Sequence, residues 1–187
     1  VASSAFTHWR LSEVHKRAVY LQKAAVLLEQ HRLELLALCV YEAGKTIKDA
    51  LAEIREAVDF CRYYAQSAIE LFEQPQSLLG PTGENNLLYQ YGRGPFVCIS
   101  PWNFPIAIFI GQITAALASG NTVIAKPATQ TALTAMRCIQ LLHQAGIPKD
   151  VLQFLPGDGA SIGKHLLTDN RIAGVAFTGS LATAKNI

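Results

Sequence analysis

A carboxamide held at a strand-to-helix junction is the group in this chain best placed to do chemistry. Asn103 lies in Trp102-Asn103-Phe104-Pro105, between an apolar strand predicted over residues 96–100 and a helical run from Ile106. Pro101 precedes this turn and Pro105 closes it. Proline fixes its own φ and restricts the residue before it, so the Asn backbone has few conformations open to it. A carboxamide N–H held still beside backbone N–H groups can donate to a developing oxyanion. The same residues also suit a proline-rich turn whose Asn bonds its own backbone.

Three further motifs follow strands. Lys126-Pro127-Ala128 closes a predicted strand, where an ammonium could meet ribose hydroxyls or phosphate, or simply face water. Gly157-Asp158-Gly159, with Gly163, follows another strand and opens a helix. Its spacing is GxGxxxG rather than the dinucleotide fingerprint, so an ordinary glycine-rich turn stays open beside nucleotide contact. Phe177-Thr178-Gly179-Ser180 is a strand end, a glycine turn and a helix-starting serine. Its backbone N–H groups favour an anion, and a plain N-cap is the alternative. Gly44-Lys45-Thr46 resembles the end of a phosphate-binding loop, but Cys39 occupies the place of the required first glycine and the segment follows a helix. Other reactive groups are poorly placed. The five histidines fall in helical or terminal stretches, with no Ser/His/Asp arrangement. The four cysteines, Cys39, Cys61, Cys98 and Cys138, are widely spaced within apolar runs and lack metal-ligand spacing. They read as buried reduced thiols of a cytoplasmic protein, Cys98 included.

The elements that must position these groups divide near Gln74. Before it the pattern is helical: Leu11, Val14, Ala18, Leu21, Ala25 and Leu28 recur at spacings of three and four, with Ser12 as a plausible N-cap. A second run through Leu33, Leu36, Ala37 and Val40 stops at Gly44, and a third starts near Thr46 and buries Ile47, Leu51, Ile54, Val58 and Cys61. Residues 75–95 form an extended crossing segment with a strand over 87–91. From 96 onward strands (96–100, 122–125, 151–155, 175–177) alternate with helices (106–119, 129–145, 160–168), the first two helices ending at Gly120 and Gly146. Such alternation predicts an α/β fold with a parallel sheet, helices on both faces and ligands at the carboxyl ends of the strands. The expected division is an N-terminal helical segment (1–74), the crossing segment (75–95) and part of a Rossmann-like region (96–187). The last residues read as the first turns of a helix, so the sheet is expected to be incomplete here and the chain to be a fragment.

Composition narrows the classes. Of 187 residues, 50% are hydrophobic and 16% charged, which argues against disorder. A net charge of +2 without a Lys/Arg-rich run makes no case for nucleic acid. The longest apolar stretch, 106–117, is broken by Gly111, Gln112 and Thr114 and is too short for a bilayer, and Val1 to Leu11 lacks the apolar core of a secretion signal.

Taken together, the order and spacing of Pro101-Trp102-Asn103-Phe104-Pro105, Lys126-Pro127-Ala128, Pro156-Gly157-Asp158-Gly159 and Phe177-Thr178-Gly179-Ser180 resemble the aldehyde dehydrogenase superfamily. The resemblance extends through the N-terminal helices and Glu42-Ala43-Gly44-Lys45-Thr46. Gly80-Pro81-Thr82-Gly83-Glu84-Asn85 and Cys98-Ile99-Ser100-Pro101-Trp102-Asn103-Phe104-Pro105 are most similar to the Δ1-pyrroline-5-carboxylate dehydrogenase module of bifunctional proline-utilisation (PutA) proteins. This implies NAD⁺-dependent oxidation of glutamate γ-semialdehyde to glutamate in proline catabolism. Asn103 would donate to the oxyanion of a thiohemiacetal formed on a cysteine. Ile99, Ser100, Trp102, Lys126, Ala128, Thr129, Gly159, Gly163, Phe177, Gly179 and Ser180 would hold the dinucleotide, with Lys126 on the adenosine ribose and Ser180 at the pyrophosphate. Phe109 would shape the aldehyde pocket. A flavin (FAD) would belong only to a separate proline dehydrogenase module upstream.

Two residues depart from the family pattern: Thr129 and Ala182 stand where many relatives carry Glu. The family's catalytic cysteine and general-base glutamate lie beyond a segment equivalent to Ser180, so this polypeptide alone is expected to be inactive. An incomplete sheet is also expected to self-associate. Alternative readings are an aldehyde dehydrogenase for a different aldehyde and a non-catalytic nucleotide-binding or assembly module.

Overall fold

The computed structural model describes the backbone of residues 1–187 and every side chain except those of Ala160, Ser161 and Lys164. The first part of the chain forms α1 (Ala2–Trp9), α2 (Val14–Gln30), α3 (Arg32–Ala43) and α4 (Ile47–Phe72). Helix α2 buries Val14, Ala18, Leu21, Ala25 and Leu28, the face its three-and-four spacing predicts. Helix α3 stops at Gly44 in the left-handed region (φ 65°), and α4 starts from Thr46, whose Oγ1 accepts from the Asp49 N–H at 3.1 Å.

The periodicity is wrong in places. Ser12 does not cap α2: Glu13 precedes the helix, and the Ser12 hydroxyl donates to the Trp9 carbonyl at 2.6 Å. Leu11 is exposed between α1 and α2, and Leu33 is exposed in the first turn of α3, which turns Leu35 and Cys39 inward instead. Ile47 and Leu51 are also exposed. The buried stripe of α4 runs through Ala50, Glu53, Ile54, Ala57, Val58, Cys61 and Ala65. At 100° per residue Leu51 lies about 80° from the middle of that stripe, and Ile47 sits in the first turn.

Within 75–95, β1 (Gln76–Leu78) and β2 (Asn86–Leu88) pair as an antiparallel hairpin, so the strand predicted over 87–91 starts one residue earlier and ends at Leu88. Then come β3 (Pro95–Ile99), α5 (Ala107–Ala118), β4 (Thr122–Lys126), a 3-10 turn (Thr129–Thr131), α6 (Ala132–Gln144), β5 (Leu152–Phe154), α7 (Gly159–Leu166), β6 (Gly174–Phe177) and α8 (Leu181–Ala184). These strands make one parallel sheet in the order β5-β4-β3-β6. The α/β fold with N-terminal helices and a parallel sheet is as the sequence predicts.

Helix α5 is apolar on nearly every side, with Phe109, Ile110, Ile113 and Leu117 all fully buried against the sheet and α4. Its last carbonyls are taken by the first helices: Trp9 Nε1 donates to Leu117 O at 3.2 Å and Arg17 Nε to Ala118 O at 3.0 Å. One face of the sheet, with Phe96, Cys98, Val123, Ala125 and Leu152, joins the helical core. On the other face Val97 is buried, whereas Ile99, Ile124, Val175 and Phe177 are half-buried. The helical layer is therefore deep on the first face and thin on the second.

Candidate active site

The sheet order explains why four motifs distant in sequence share one edge of the molecule. The chain leaves the central strand β3 towards β4 and β5 on one side, then returns to place β6 on the other. The order reverses between β3 and β6, and ligands of such sheets bind outside the carboxyl ends at this reversal. Because all four strands are parallel, each delivers one motif at the same end. Strand β3 leads into Ser100 to Pro105, β4 ends at Lys126, β5 leads into Gly157 to Gly159, and β6 leads into Thr178 to Ser180. Ile99 stands in register with Lys126 on one side and Phe177 on the other.

The adenosine-side candidates converge closely. Lys126 is a buried lysine, and Nζ donates to the Pro127 carbonyl at 3.0 Å. Burial pushes its ammonium pKa down, against an opposing pull from the Asp158 carboxylate. A Cβ on Gly159 would stand 3.8 Å from Lys126 Nζ, so any side chain there would fill the space beside the ammonium. Thr129 Oγ1 donates to Gly157 O at 3.3 Å, tying the β4 loop to the β5 loop. Gly157 has φ 142°, which L side chains seldom adopt. Ala128 is half-buried beside these groups, and Gly163 lies one turn into α7.

At the reversal, Thr178 N donates to Ile99 O at 3.1 Å and Gln112 Nε2 to Thr178 Oγ1 at 3.0 Å. Ser100 is buried, its N–H donating to Lys126 O at 3.3 Å. Ser180 caps α8 by accepting from the Thr183 N–H at 3.2 Å. A Cβ on Gly179 would press within 2.7 Å of the Phe177 ring. Trp102 and Asn103 are exposed in the bend after β3. Among the described residues the Asn103 carboxamide makes no internal hydrogen bond, so it does not bond its own backbone. Phe109 is fully buried in the core and does not reach this crevice.

The residues that hold the Asn103 turn escaped the sequence reading. Glu53, from the second turn of α4, has no exposed side-chain surface, and its Oε1 accepts from the N–H groups of Ile106 (2.6 Å) and Ala107 (3.1 Å). Its Oε2 lies 2.5 Å from Lys45 Nζ, an ionic contact off the hydrogen-bond axis. Lys45 Nζ also donates to Asn103 O at 3.0 Å and sits 4.1 Å from the centre of the Phe104 ring. Glu42 accepts from Leu133 N at 2.9 Å and Thr134 N at 2.7 Å at the start of α6. The signal was the Glu42-Ala43-Gly44-Lys45-Thr46 motif, whose lysine serves this ion pair and not a phosphate loop.

None of the thiols is poised to react. Cys39, Cys61 and Cys98 are fully buried, and loss of solvent pushes each pKa up to about 12; Cys138 is raised by the same cause. No cluster of His, Cys, Asp and Glu able to hold a metal occurs among the described residues, and no helix there is long and apolar enough to cross a membrane.

The aldehyde dehydrogenase family profile matches residues 1–187. The chain belongs to the aldehyde dehydrogenase family. Bifunctional protein PutA of Salmonella typhimurium is 48% identical over 176 residues, which make up 94% of this chain and 12% of that protein. A 1-pyrroline-5-carboxylate dehydrogenase of Halalkalibacterium halodurans is 40% identical over 179 residues, 96% of this chain and 35% of its own length. The crystal structure of a Thermus 1-pyrroline-5-carboxylate dehydrogenase with bound NAD superposes with a TM-score of 0.95 at 39% identity, over 99% of this chain and 36% of that one. The aldehyde dehydrogenase chain described here thus spans between about an eighth and about a third of the length of these relatives.

Proposed function

We propose that this chain is the cofactor-side part of an NAD⁺-dependent dehydrogenase that oxidises L-glutamate γ-semialdehyde to L-glutamate in proline catabolism. The observation that carries the reading is the delivery of Asn103, Lys126, Gly159 and Ser180 to the carboxyl end of one sheet, one from each parallel strand. The residues fit a dinucleotide: a buried ammonium with donors to spare faces a glycine whose missing side chain leaves room beside it. The chemistry that NAD⁺ supplies when bound is acceptance of a hydride from the substrate. Lys126 binds ribose hydroxyls, Thr129 adds a hydroxyl beside it, and Gly159 and Gly163 let backbone approach. Ile99, Ser100, Trp102, Ala128 and Phe177 wall the groove, while Gly179 and Ser180 present backbone N–H groups to the pyrophosphate. The free carboxamide of Asn103 donates to the oxyanion that forms when a cysteine thiolate adds to the aldehyde.

That nucleophile is not one of the four thiols here, all of them buried and protonated at neutral pH. The working division is 1–74 as a helical segment, 75–95 as a crossing segment and 96–187 as part of the dinucleotide-binding region. The small-molecule partner is the aldehyde, and we further propose self-association. Calorimetry on the 187-residue chain tests the reading. NAD⁺ should bind, and Lys126→Met should weaken it about 10–100-fold, the worth of a charge-assisted hydrogen bond. The same chain should not turn over the aldehyde, whereas the product of the complete reading frame should, and Asn103→Ala should slow it about 100-fold or more. Unchanged binding in Lys126→Met, or turnover by the 187 residues alone, would overturn the assignment.

A further inference from the structure

We propose that Lys45 and Glu53 are positioning residues for Asn103, an inference that rests on the oxyanion role given to that carboxamide. The segment from Asn103 to Ala107 is held at both ends by this one ion pair. On the far side, Glu53 Oε1 takes the Ile106 and Ala107 N–H groups, which open α5 without any cap from their own segment. On the near side, Lys45 Nζ takes the Asn103 carbonyl and covers the Phe104 ring. Pro105 has no N–H to offer, so these groups are the main handles the turn has. The ion pair clamps the backbone that carries the carboxamide and leaves the carboxamide itself free and exposed.

Capping α5 calls for an acceptor at Glu53 but does not by itself call for an ion pair. Glu53 is fully buried in an otherwise apolar stripe, and a buried ion pair can often be replaced by apolar residues of similar volume without loss of stability. The clamp does fix the position of one donor. A misplacement of about 1 Å in a reacting group can cost about 100-fold in rate. Lys45 and Glu53 touch neither substrate nor cofactor in this reading, so they act through Asn103 only.

The test uses the protein from the complete reading frame, with saturating NAD⁺ and glutamate γ-semialdehyde. The double variant Lys45→Met/Glu53→Gln keeps an acceptor for the Ile106 and Ala107 N–H groups and removes both charges, so neither is left buried and unpaired. Its kcat should fall about 10–100-fold, with the KM of both substrates within about threefold of wild type. In an Asn103→Ala background the same pair of substitutions should cause little further loss, because the residue through which they act is gone. A double variant with wild-type kcat, or losses that multiply independently in the cycle, overturns the positioning role while leaving the oxyanion reading intact. Asn103→Ala with wild-type kcat overturns both. If the double variant does not fold, Glu53→Gln alone, which leaves no buried carboxylate unpaired, enters the same cycle below its melting temperature, with the same outcomes.

Discussion

In the proposed site, Thr129 would set a limit on how tightly one side of the ribose can be held. It lies three residues after Lys126, is exposed, and already donates its single hydroxyl proton to Gly157 O at 3.3 Å. What remains for a ligand is a neutral acceptor, weaker than a carboxylate at the same position would be. Thr129→Glu should therefore tighten NAD⁺ about 3–30-fold and widen its margin over NADP⁺, because a carboxylate repels a 2′-phosphate. Paired calorimetric titrations of the two cofactors read both effects, and equal affinities before and after the change would show that this position does not face the ribose. At this scale the sequence was informative where a residue's role depends on its neighbours along the chain. Asn103 between two prolines, Lys126 at a strand end and Ser180 before a helix are all where local chemistry puts them. Glu53 was not legible. A lone glutamate on a helix reads as solvated, and its partners Lys45, Ile106 and Ala107 come from elsewhere in the chain.

At the level of elements, Glu42-Ala43-Gly44-Lys45-Thr46 works as a connector in which almost every residue holds a different piece. Gly44 ends α3, Thr46 starts α4, Lys45 reaches the turn after β3, and Glu42 caps α6. That last cap comes from a distant part of the same chain: Thr131 precedes α6 without a side-chain bond of its own, and Glu42 takes the Leu133 and Thr134 N–H groups and the Thr134 hydroxyl. A carboxylate at a helix N-terminus gains from the helix dipole as well as from hydrogen bonds. Glu42→Gln should cost about 1–2 kcal/mol, and at this chain length a melting temperature lower by about 2–8 °C. The loop from Lys126 to Thr131 leads directly into α6, so NAD⁺ affinity should fall in the same variant. Calorimetric melting and titration of one preparation measure the two together, and an unchanged melting temperature would remove Glu42 as a cap. Helix existence was legible from apolar spacing, and Ile54, Val58 and Cys61 of α4 face inward as that spacing predicts, but the rest of the inward faces of α3 and α4 was not legible. Their burial follows Ala50, Ala57, Ala65 and Cys39, small residues that matter because other helices pack on them. Helix α1 had no apolar period to reveal it.

At the scale of the whole molecule, the distribution of cover over the sheet bears on association. Strands β5 and β6 are its two edges among the described residues, and β6, Gly174–Phe177, carries neither proline nor charge to discourage another strand. Beside it lies an open hollow of about 520 Å³, lined by Phe60, Tyr64, Phe96, Ile108 and Ala176, where α4 and α5 leave apolar surface next to the strand. An unguarded edge contiguous with an apolar hollow offers backbone pairing and burial in the same contact, and exposed apolar surface of this kind favours association. With a net charge of only +2, long-range repulsion does little to oppose it. The 187-residue chain should therefore sediment as a concentration-dependent mixture of monomer and larger species at micromolar concentration. Sulfate, which strengthens apolar burial, should shift that mixture upward, whereas contacts made mainly by surface charge would weaken with salt. A single monomeric boundary at every concentration would mean that neither the β6 edge nor the hollow beside it drives association.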